Sequence, residues 1–249
     1  TGDLDARGFA TARDELAASF DYSAYDDTIS VSARYLTETQ DAAMALLKGS
    51  LVAPNFTEVA LKRVRAQVVA GLKSDSKDPD SIVSKRFDAL AFGDHPYGSR
   101  AEGTIESVSA LTRDQIKAAH LGTLTRDRVY ASAVGDITAE QLTSLLDRLL
   151  SELPQTGRPM PSKVAYGLDG GTTVVDFDTP QSVAIFGQRG IERDHPDFFA
   201  AYLIHQILGG GSFESRLMEE VREKRGLTYG VYSYLLPKDF SDLYIGRVA

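Results

Sequence analysis

The sequence contains no cysteine, and it lacks the features of several common classes of protein. Without thiols it cannot form disulfides, thiolate zinc sites or cysteine nucleophiles. No uninterrupted apolar run approaches the roughly 18 residues of a transmembrane helix. Basic residues are in the minority, with 27 Lys and Arg against 35 Asp and Glu. The resulting net charge of −8 disfavours binding to nucleic acid or to an anionic membrane surface.

The first residues also lack a targeting signal. The chain begins Thr1-Gly2-Asp3, without an initiator methionine, a basic segment or the apolar core of a signal peptide. A chain that begins in this way is expected to be processed or trimmed. The compartment stays open between a bacterial periplasm and cytoplasm, because both hold proteins without cysteine.

The residues that are present have an ordinary globular composition, 43% hydrophobic and 25% charged in a chain of 249. This length corresponds to one or two domains. The apolar spacing alternates between the helical and the strand period, which indicates an α+β fold of mainly antiparallel sheets packed against helices. Helices are predicted after the caps Asp5, Thr37, Thr112 and Thr138, around Val64 and Phe87, and over 198–208 and 213–224. Strands are predicted over 20–24, 29–35, 129–134, 172–178, 182–188, 228–235 and 242–248.

A proline-rich stretch divides the chain, since residues 154–161 read PQTGRPMP. It predicts a linker over 154–163 between one domain that ends in 1–153 and another that begins in 164–249. The order helix, strand, turn, strand occurs over 5–36 and again over 213–248, which indicates duplicated domains. On this interpretation the chain is a central slice of two homologous domains, with further elements before Thr1 and after Ala249.

The four histidines are the only uncharged metal ligands that the sequence offers. No two of the four histidines are three or four residues apart, the spacing that places two imidazoles on one helical face. His95 and His195 precede proline in turns, His120 ends a helix and His205 is expected to pack or cap, so no zinc site is expected within the chain. Gly209–Gly211 precede a helix and could bind an anion on free amides, although a tight turn or mobile loop explains them more simply.

The segment from Leu208 to Val231 reads LGGGSFESRLMEEVREKRGLTYGV. It resembles the most recognisable segment of the insulinase-like, or pitrilysin-type, zinc peptidase family. Shorter matches follow the family's order at Pro54-Asn-Phe56, Asp94-His-Pro-Tyr-Gly98, Val134-Gly-Asp136 and Leu153-Pro154. The resemblance spans essentially the whole chain and implies two family domains joined by the proline-rich linker.

Active members of that family hold zinc with an H-x-x-E-H helix and a glutamate further downstream. The sequence contains no H-x-x-E-H, whose place would lie upstream of Thr1. Alignment on Phe56 and Pro79 puts Gly71 where the third ligand belongs, and the nearest acid, Asp75, is four residues further on. Because glycine offers no ligand atom, the resemblance implies a non-catalytic member with no zinc of its own. Zinc is then expected in a catalytic partner.

The resemblance also singles out Arg222 and Tyr229. In the family, an arginine and a tyrosine at this spacing hydrogen-bond the substrate backbone near the scissile carbonyl, at the zinc site of the opposing half. A guanidinium and a phenol are suitable donors for charge that develops on a carbonyl oxygen. The alternative is structural, with Arg222 paired to Glu219 at a helix end and Tyr229 an ordinary strand aromatic.

Two functions follow from this resemblance, and whether the chain is itself part of an enzyme stays open. In the first, it is the substrate-clamping, non-catalytic subunit of a heterodimeric zinc metallopeptidase, and a homologous partner holds the zinc. Its substrates would be peptides or unfolded chains, bound as an added strand on a sheet edge. In the second, it is a structural or scaffold protein with no role in proteolysis, and it pairs with itself or another chain. A self-sufficient peptidase would need zinc without the third ligand.

Overall fold

The computed structural model describes residues 1–211 and 213–249, which form helices and two small antiparallel sheets. Contacts divide the chain into two compact units, one of residues 1–68 with 106–160 and the other of residues 69–105 with 161–249. The α+β class predicted from the sequence is confirmed. None of the helices in the described ranges combines the length and the hydropathy needed to cross a bilayer.

The regular elements are numbered in chain order. The α-helices are α1 (Ala6–Glu15), α2 (Gln40–Val52), α3 (Glu58–Asp75), α4 (Pro79–Phe92), α5 (Ile105–Ala110), α6 (Arg113–Thr123), α7 (Ala139–Leu150) and α8 (Phe198–Gly209). The strands are β1 (Ser19–Ala24), β2 (Ile29–Arg34), β3 (Ala184–Arg189), β4 (Val231–Pro237) and β5 (Asp242–Val248). A π-helix occupies Met218–Glu223.

In the first unit, short-range polar signals fix where the helices begin. The Asp5 carboxylate accepts a hydrogen bond from the Gly8 amide at 2.7 Å and caps α1, as predicted. Complete capping boxes open α6 at Thr112 and α7 at Thr138, which confirms both predictions. The predicted hairpin is also confirmed, with β1 and β2 antiparallel. The buried core of this unit consists of Ala18, Phe20, Ala43, Met44, Leu47, Leu51, Leu145 and Leu149.

Three predictions for local structure are wrong. Thr37 does not cap a helix, because residues 37–39 form a 3₁₀ turn before α2. Thr39, which directly precedes α2, does not cap it either, and its hydroxyl donates to the Leu16 carbonyl at 3.0 Å. The apolar runs 129–134 and 172–178 are not strands, since neither forms a ladder with any of the described residues. Tyr130 and Val134 are fully exposed, so an apolar run and β-propensity did not suffice to form a strand here.

The second unit contains a three-stranded sheet in the order β3-β5-β4, with both pairs antiparallel. Helix α4 packs on β3 and helix α8 packs on β4. The strands predicted over 182–188, 228–235 and 242–248 and the helix over 198–208 are confirmed with small shifts of their ends. The core of this unit consists of Phe87, Ala91, Phe92, Tyr97 and Leu243.

The predicted linker is held by backbone hydrogen bonds of the first unit over part of its length. The carbonyl of Pro154 accepts from the Arg126 amide at 2.9 Å, and the Arg158 amide donates to the Gly122 carbonyl at 2.9 Å. The division between the units falls after Met160, inside the predicted 154–163, while residues 69–105 group with the second unit. The assignment of 1–153 and 164–249 to two homologous domains stays a prediction.

Candidate functional site

Arg222 lies on the π-helix, and an unusual backbone places it there. The Lys224 amide donates to the Glu219 carbonyl, five residues back, at 2.9 Å. The sequence predicted an α-helix over 213–224, but helical structure begins only at Arg216 and widens to the π form from Met218. Met218 is almost fully buried and anchors this turn, with its sulfur accepting from the Val231 amide at 3.4 Å. Isolated π-turns of this kind occur frequently at functional sites.

A glycine turn ends the π-helix and leads to Tyr229. Gly226 has a positive φ of 62°, and its amide donates to the Arg222 carbonyl at 2.8 Å. The Thr228 hydroxyl then accepts from the Gly230 amide at 3.0 Å, which closes a tight turn around Tyr229. The Tyr229 side chain is 88% exposed. The backbone therefore presents the phenol to solvent within a few residues of the arginine.

Arg222 and Tyr229 line the same cavity, whose volume is about 440 Å³. Its other lining residues are Gln181, Glu223, Gly226, Leu227 and Thr228. Arg222 contacts the Glu223 carboxylate through Nε at 3.5 Å, and its Cζ lies 4.8 Å from the centre of the Phe213 ring. The structure thus brings together the two residues that the sequence singled out.

The structural alternative paired Arg222 with Glu219 and placed Tyr229 in a strand, and both predictions are wrong. Glu219 does not pair with Arg222, because its carboxylate contacts Lys224 Nζ at 2.9 Å. Tyr229 is not a strand residue, since β4 begins only at Val231. The substrate-binding role of Arg222 and Tyr229 stays a prediction.

The shortest ion pairs of the π-helix are those of Glu220. Glu220 accepts from Lys224 at 2.6 Å and from Arg225 at 2.8 Å. Hydrogen bonds from these two basic groups lower the pKa of Glu220 from 4.5 to about 2, and they raise the pKa of Lys224. Arg222 is not part of these Glu220 ion pairs, and its own charged contact is through Nε. Its terminal nitrogens are therefore not needed to stabilise the helix.

Three residues near Arg222 and Tyr229 were not predicted from the sequence as part of the site. Glu223 follows Arg222 directly, and an acid next to an arginine could have indicated the contact between them. Phe213 is an apolar residue just after a glycine run, which could have marked it as exposed. Gln181 lies about 40 residues upstream and has no pattern that connects it to the site, because only the folded chain brings it to the cavity.

The region around Gly71 does not fit a zinc ion. Gly71 lies on α3, and a Cβ built on it would meet nothing within 4 Å. The nearest acid, Asp75, is paired with Arg100 at 3.4 Å. Within residues 1–211 and 213–249, no three His, Asp or Glu side chains come together as a metal cluster. The assignment of Gly71 to the position of a third ligand stays a prediction.

The histidines take structural positions. His95 Nδ1 accepts from the Tyr97 amide at 3.2 Å, and His195 Nδ1 accepts from the Asp197 amide at 3.1 Å. His120 lies in the last turn of α6, with Nε2 2.7 Å from the Leu51 carbonyl oxygen. His205 is buried in α8, and burial lowers the pKa of its imidazole.

The glycine run after His205 is explained by close packing. A Cβ on Gly209 would lie 2.8 Å from Leu217 Cδ1 and 2.9 Å from the Ser233 amide nitrogen, so helix α8 can approach β4 only with glycine there. Gly211 has a positive φ of 83°. The turn interpretation of Gly209–Gly211 therefore accounts for them without an anion.

The chain is similar to known proteins over most of its length. A family model described as the peptidase M16 inactive domain matches residues 110–246, more than half of the chain. A protein named non-peptidase homolog YmxG from Helicobacter pylori is 29% identical over 93% of this chain and 54% of its own length. An uncharacterised zinc protease from Mycobacterium tuberculosis is 36% identical over 64% of this chain and 37% of its own length.

A solved structure supports the same relationship. The crystal structure of a peptidase M16 inactive domain from Pseudomonas fluorescens has a TM-score of 0.94 and 30% identity, covering 99% of this chain and 60% of the other. The chain thus spans about half the length, or less, of the curated relatives described above. The matched family segment contains Arg222 and Tyr229 but not Gly71. The chain belongs to the peptidase M16 family, within which it matches the inactive domain.

Proposed function

We propose that this protein is the non-catalytic, substrate-clamping subunit of a heterodimeric zinc metallopeptidase. A homologous subunit would hold the zinc and supply its Lewis-acid chemistry. This chain would supply Arg222 and Tyr229, which bind the backbone of an extended peptide. The observation that carries the proposal is the shared cavity of about 440 Å³, in which both side chains lie beside Gln181 and Thr228.

The surroundings of the two side chains support a binding role. Among the described residues, the terminal Nη atoms of Arg222 make no hydrogen bond or ion pair, because its one charged contact is through Nε. The Tyr229 hydroxyl likewise makes no hydrogen bond to any residue that the structure describes, and the side chain is 88% exposed. Two donors in one concave site suit a carbonyl oxygen that gains negative charge. Neither donor is needed to hold the local fold, which the ion pairs of Glu220 and the buried Met218 stabilise.

The test begins with the full-length protein, tagged and purified from its own cells together with whatever it binds. We expect a stoichiometric zinc-bearing homologue in the complex, measured by metal analysis and by sedimentation. Cleavage of an unstructured fluorogenic peptide is then followed for Arg222→Ala and Tyr229→Phe. Loss of one donor is expected to lower the turnover rate by about 10²–10³-fold.

Matched controls remove the same groups near the cavity but not in it. Arg216→Ala removes an exposed guanidinium from the residues just before the π-helix, and Tyr234→Phe removes a half-exposed phenol from β4. Both controls are expected to keep the wild-type turnover. Unchanged turnover in Arg222→Ala and Tyr229→Phe, with the complex intact, would refute the clamp. A stable homodimer that ignores every zinc-bearing homologue would favour the scaffold function instead.

A further inference from the structure

Phe213 is an exposed aromatic residue beside the cavity whose ring has no place in either buried core. Its side chain is 70% exposed, and it belongs to neither of the two hydrophobic clusters. An exposed phenylalanine contributes little to folding through burial, because most of its apolar surface stays in water. Its one described ring contact is with Arg222, whose Cζ lies 4.8 Å from the ring centre. That distance is within the range of a cation–π interaction.

Arg222 is held on two sides, and its terminal nitrogens are left for a ligand. The Phe213 ring covers the guanidinium, and the Glu223 carboxylate contacts Nε at 3.5 Å. The Arg222 side chain is about one-third exposed, so without such contacts it would sample many rotamers. A donor that is ordered before the substrate arrives loses less entropy on binding. The backbone cannot supply this order, since the π-helix fixes only the start of the side chain.

We propose that Phe213 is a positioning residue, which acts through Arg222 by stacking on its guanidinium and orienting the Nη donors toward the cavity ligand. The proposal rests on the proposed function for its effect on turnover, but the stacking itself is independent of it. Phe213 is not among the residues that line the cavity, and it contacts Arg222, which is. Its effect on catalysis must therefore disappear when Arg222 is removed.

The first measurement concerns the side chain alone and needs no substrate. In the full-length protein labelled with ¹⁵N, the Nε–Hε signal of Arg222 is expected to carry a ring-current shift from Phe213. Phe213→Leu removes the ring and should remove that shift, whereas Phe213→Tyr keeps the ring and should retain it. Because Phe213 is mostly exposed, both variants are expected to fold, and the unchanged spectrum of the β-strands confirms it. An Arg222 signal that is the same in wild type and Phe213→Leu would overturn the proposal.

The second measurement is a double-mutant cycle on turnover of the unstructured peptide by the complex. Phe213→Leu is expected to lower kcat/KM by about two- to five-fold, which corresponds to a cation–π contact at a partly exposed site. Phe213→Tyr should restore the wild-type value. In the Arg222→Ala background, Phe213→Leu should have no further effect, since the two residues act as one unit. Phe199→Leu is the matched control, because it removes a ring of similar exposure that lies 5.9 Å from a different arginine, Arg193.

The outcomes separate this proposal from the proposed function. If Arg222→Ala lowers turnover but Phe213→Leu does not, the clamp stands and the positioning role is wrong. If Phe213→Leu lowers turnover equally with and without Arg222, the ring acts on its own and the positioning role is again wrong. If Arg222→Ala has no effect, the clamp is refuted, and the Arg222 signal alone then decides whether the stacking exists.

Discussion

Two glycine-containing regions of the second unit, α3 around Gly71 and the segment from Gly209 to Tyr229, differ in how firmly their surroundings fix each residue. Around Gly71 the helix is regular, and no atom lies near the place of a side chain. Around Gly209 the helix end is packed directly against β4, and the chain then passes through a π-helix and a turn with positive φ. We expect the first region to tolerate substitution better than the second.

The two regions also differ in the residues that they hold in place. The position aligned with a third zinc ligand is an open glycine, and the nearby acid is committed to Arg100. The donors Arg222 and Tyr229 lie in the constrained segment, where ion pairs, a buried methionine and glycine conformations hold the backbone around them. The fold therefore constrains the segment that carries Arg222 and Tyr229 more than it constrains the helix around Gly71. Substitutions in the two regions test that contrast directly.

The largest effect on stability is expected from Gly209→Ala. The added Cβ would overlap the Ser233 amide nitrogen, Leu217 Cδ1 and the Ser233 hydroxyl, and a backbone atom cannot move aside cheaply. We expect the free energy of unfolding of the full-length protein to fall by about 1–3 kcal/mol, the usual cost of overpacking. Differential scanning calorimetry measures the change. An unchanged melting temperature would show that α8 and β4 do not approach as closely as described.

Gly71→Ala is expected to act in the opposite direction with a smaller magnitude. The position is inside a helix, its φ is not positive, and the new Cβ meets nothing within 4 Å. Replacement of an unstrained helical glycine by alanine stabilises a protein by roughly 0.5–1 kcal/mol, mainly because it restricts the unfolded chain. The same calorimetric scan should show a higher melting temperature with unchanged peptide turnover. A lower melting temperature would mean that this face of α3 is covered in the full-length protein, and the contrast would fail.

Local polar signals in the sequence were sufficient to predict where several elements begin. Asp5 caps α1, and Thr112 and Thr138 open capping boxes, because each motif is completed within three residues of the chain. Thr37 has the same spacing to Gln40, yet the neighbouring Thr39 bonds to Leu16 in the preceding turn, and the helix starts later. The Leu16 carbonyl lies 23 residues before Thr39, so a short window of sequence does not contain both partners.

Sheet partners and helix width could not be predicted in this way. Residues 129–134 form an apolar run like that of a buried strand, but pairing depends on an edge that another part of the chain must supply. The π-turn at Met218–Glu223 holds one more residue per hydrogen-bonded turn than an α-helix, and the apolar spacing of the sequence does not reveal the extra residue. At the candidate site, the motif identified Arg222 and Tyr229, while Gln181 and Phe213 became visible only through the cavity and the ring contact.

The smallest effect is expected from the ion pairs that stabilise the π-helix, tested by Glu220→Gln at several pH values. Lys224 and Arg225 hold the pKa of Glu220 at about 2 in the folded protein, below the ordinary 4.5. A carboxylate with a depressed folded pKa stabilises the protein fully above its unfolded pKa, and this contribution is lost as the pH falls through the folded value. The melting temperature of the wild type should therefore exceed that of Glu220→Gln at pH 7, and the difference should shrink below pH 4.5 and be lost below about pH 2. Because the group is exposed, high salt at pH 7 should also reduce the difference in melting temperature. A difference that changes with neither pH nor salt would show that the charge of Glu220 does not stabilise the segment that carries Arg222.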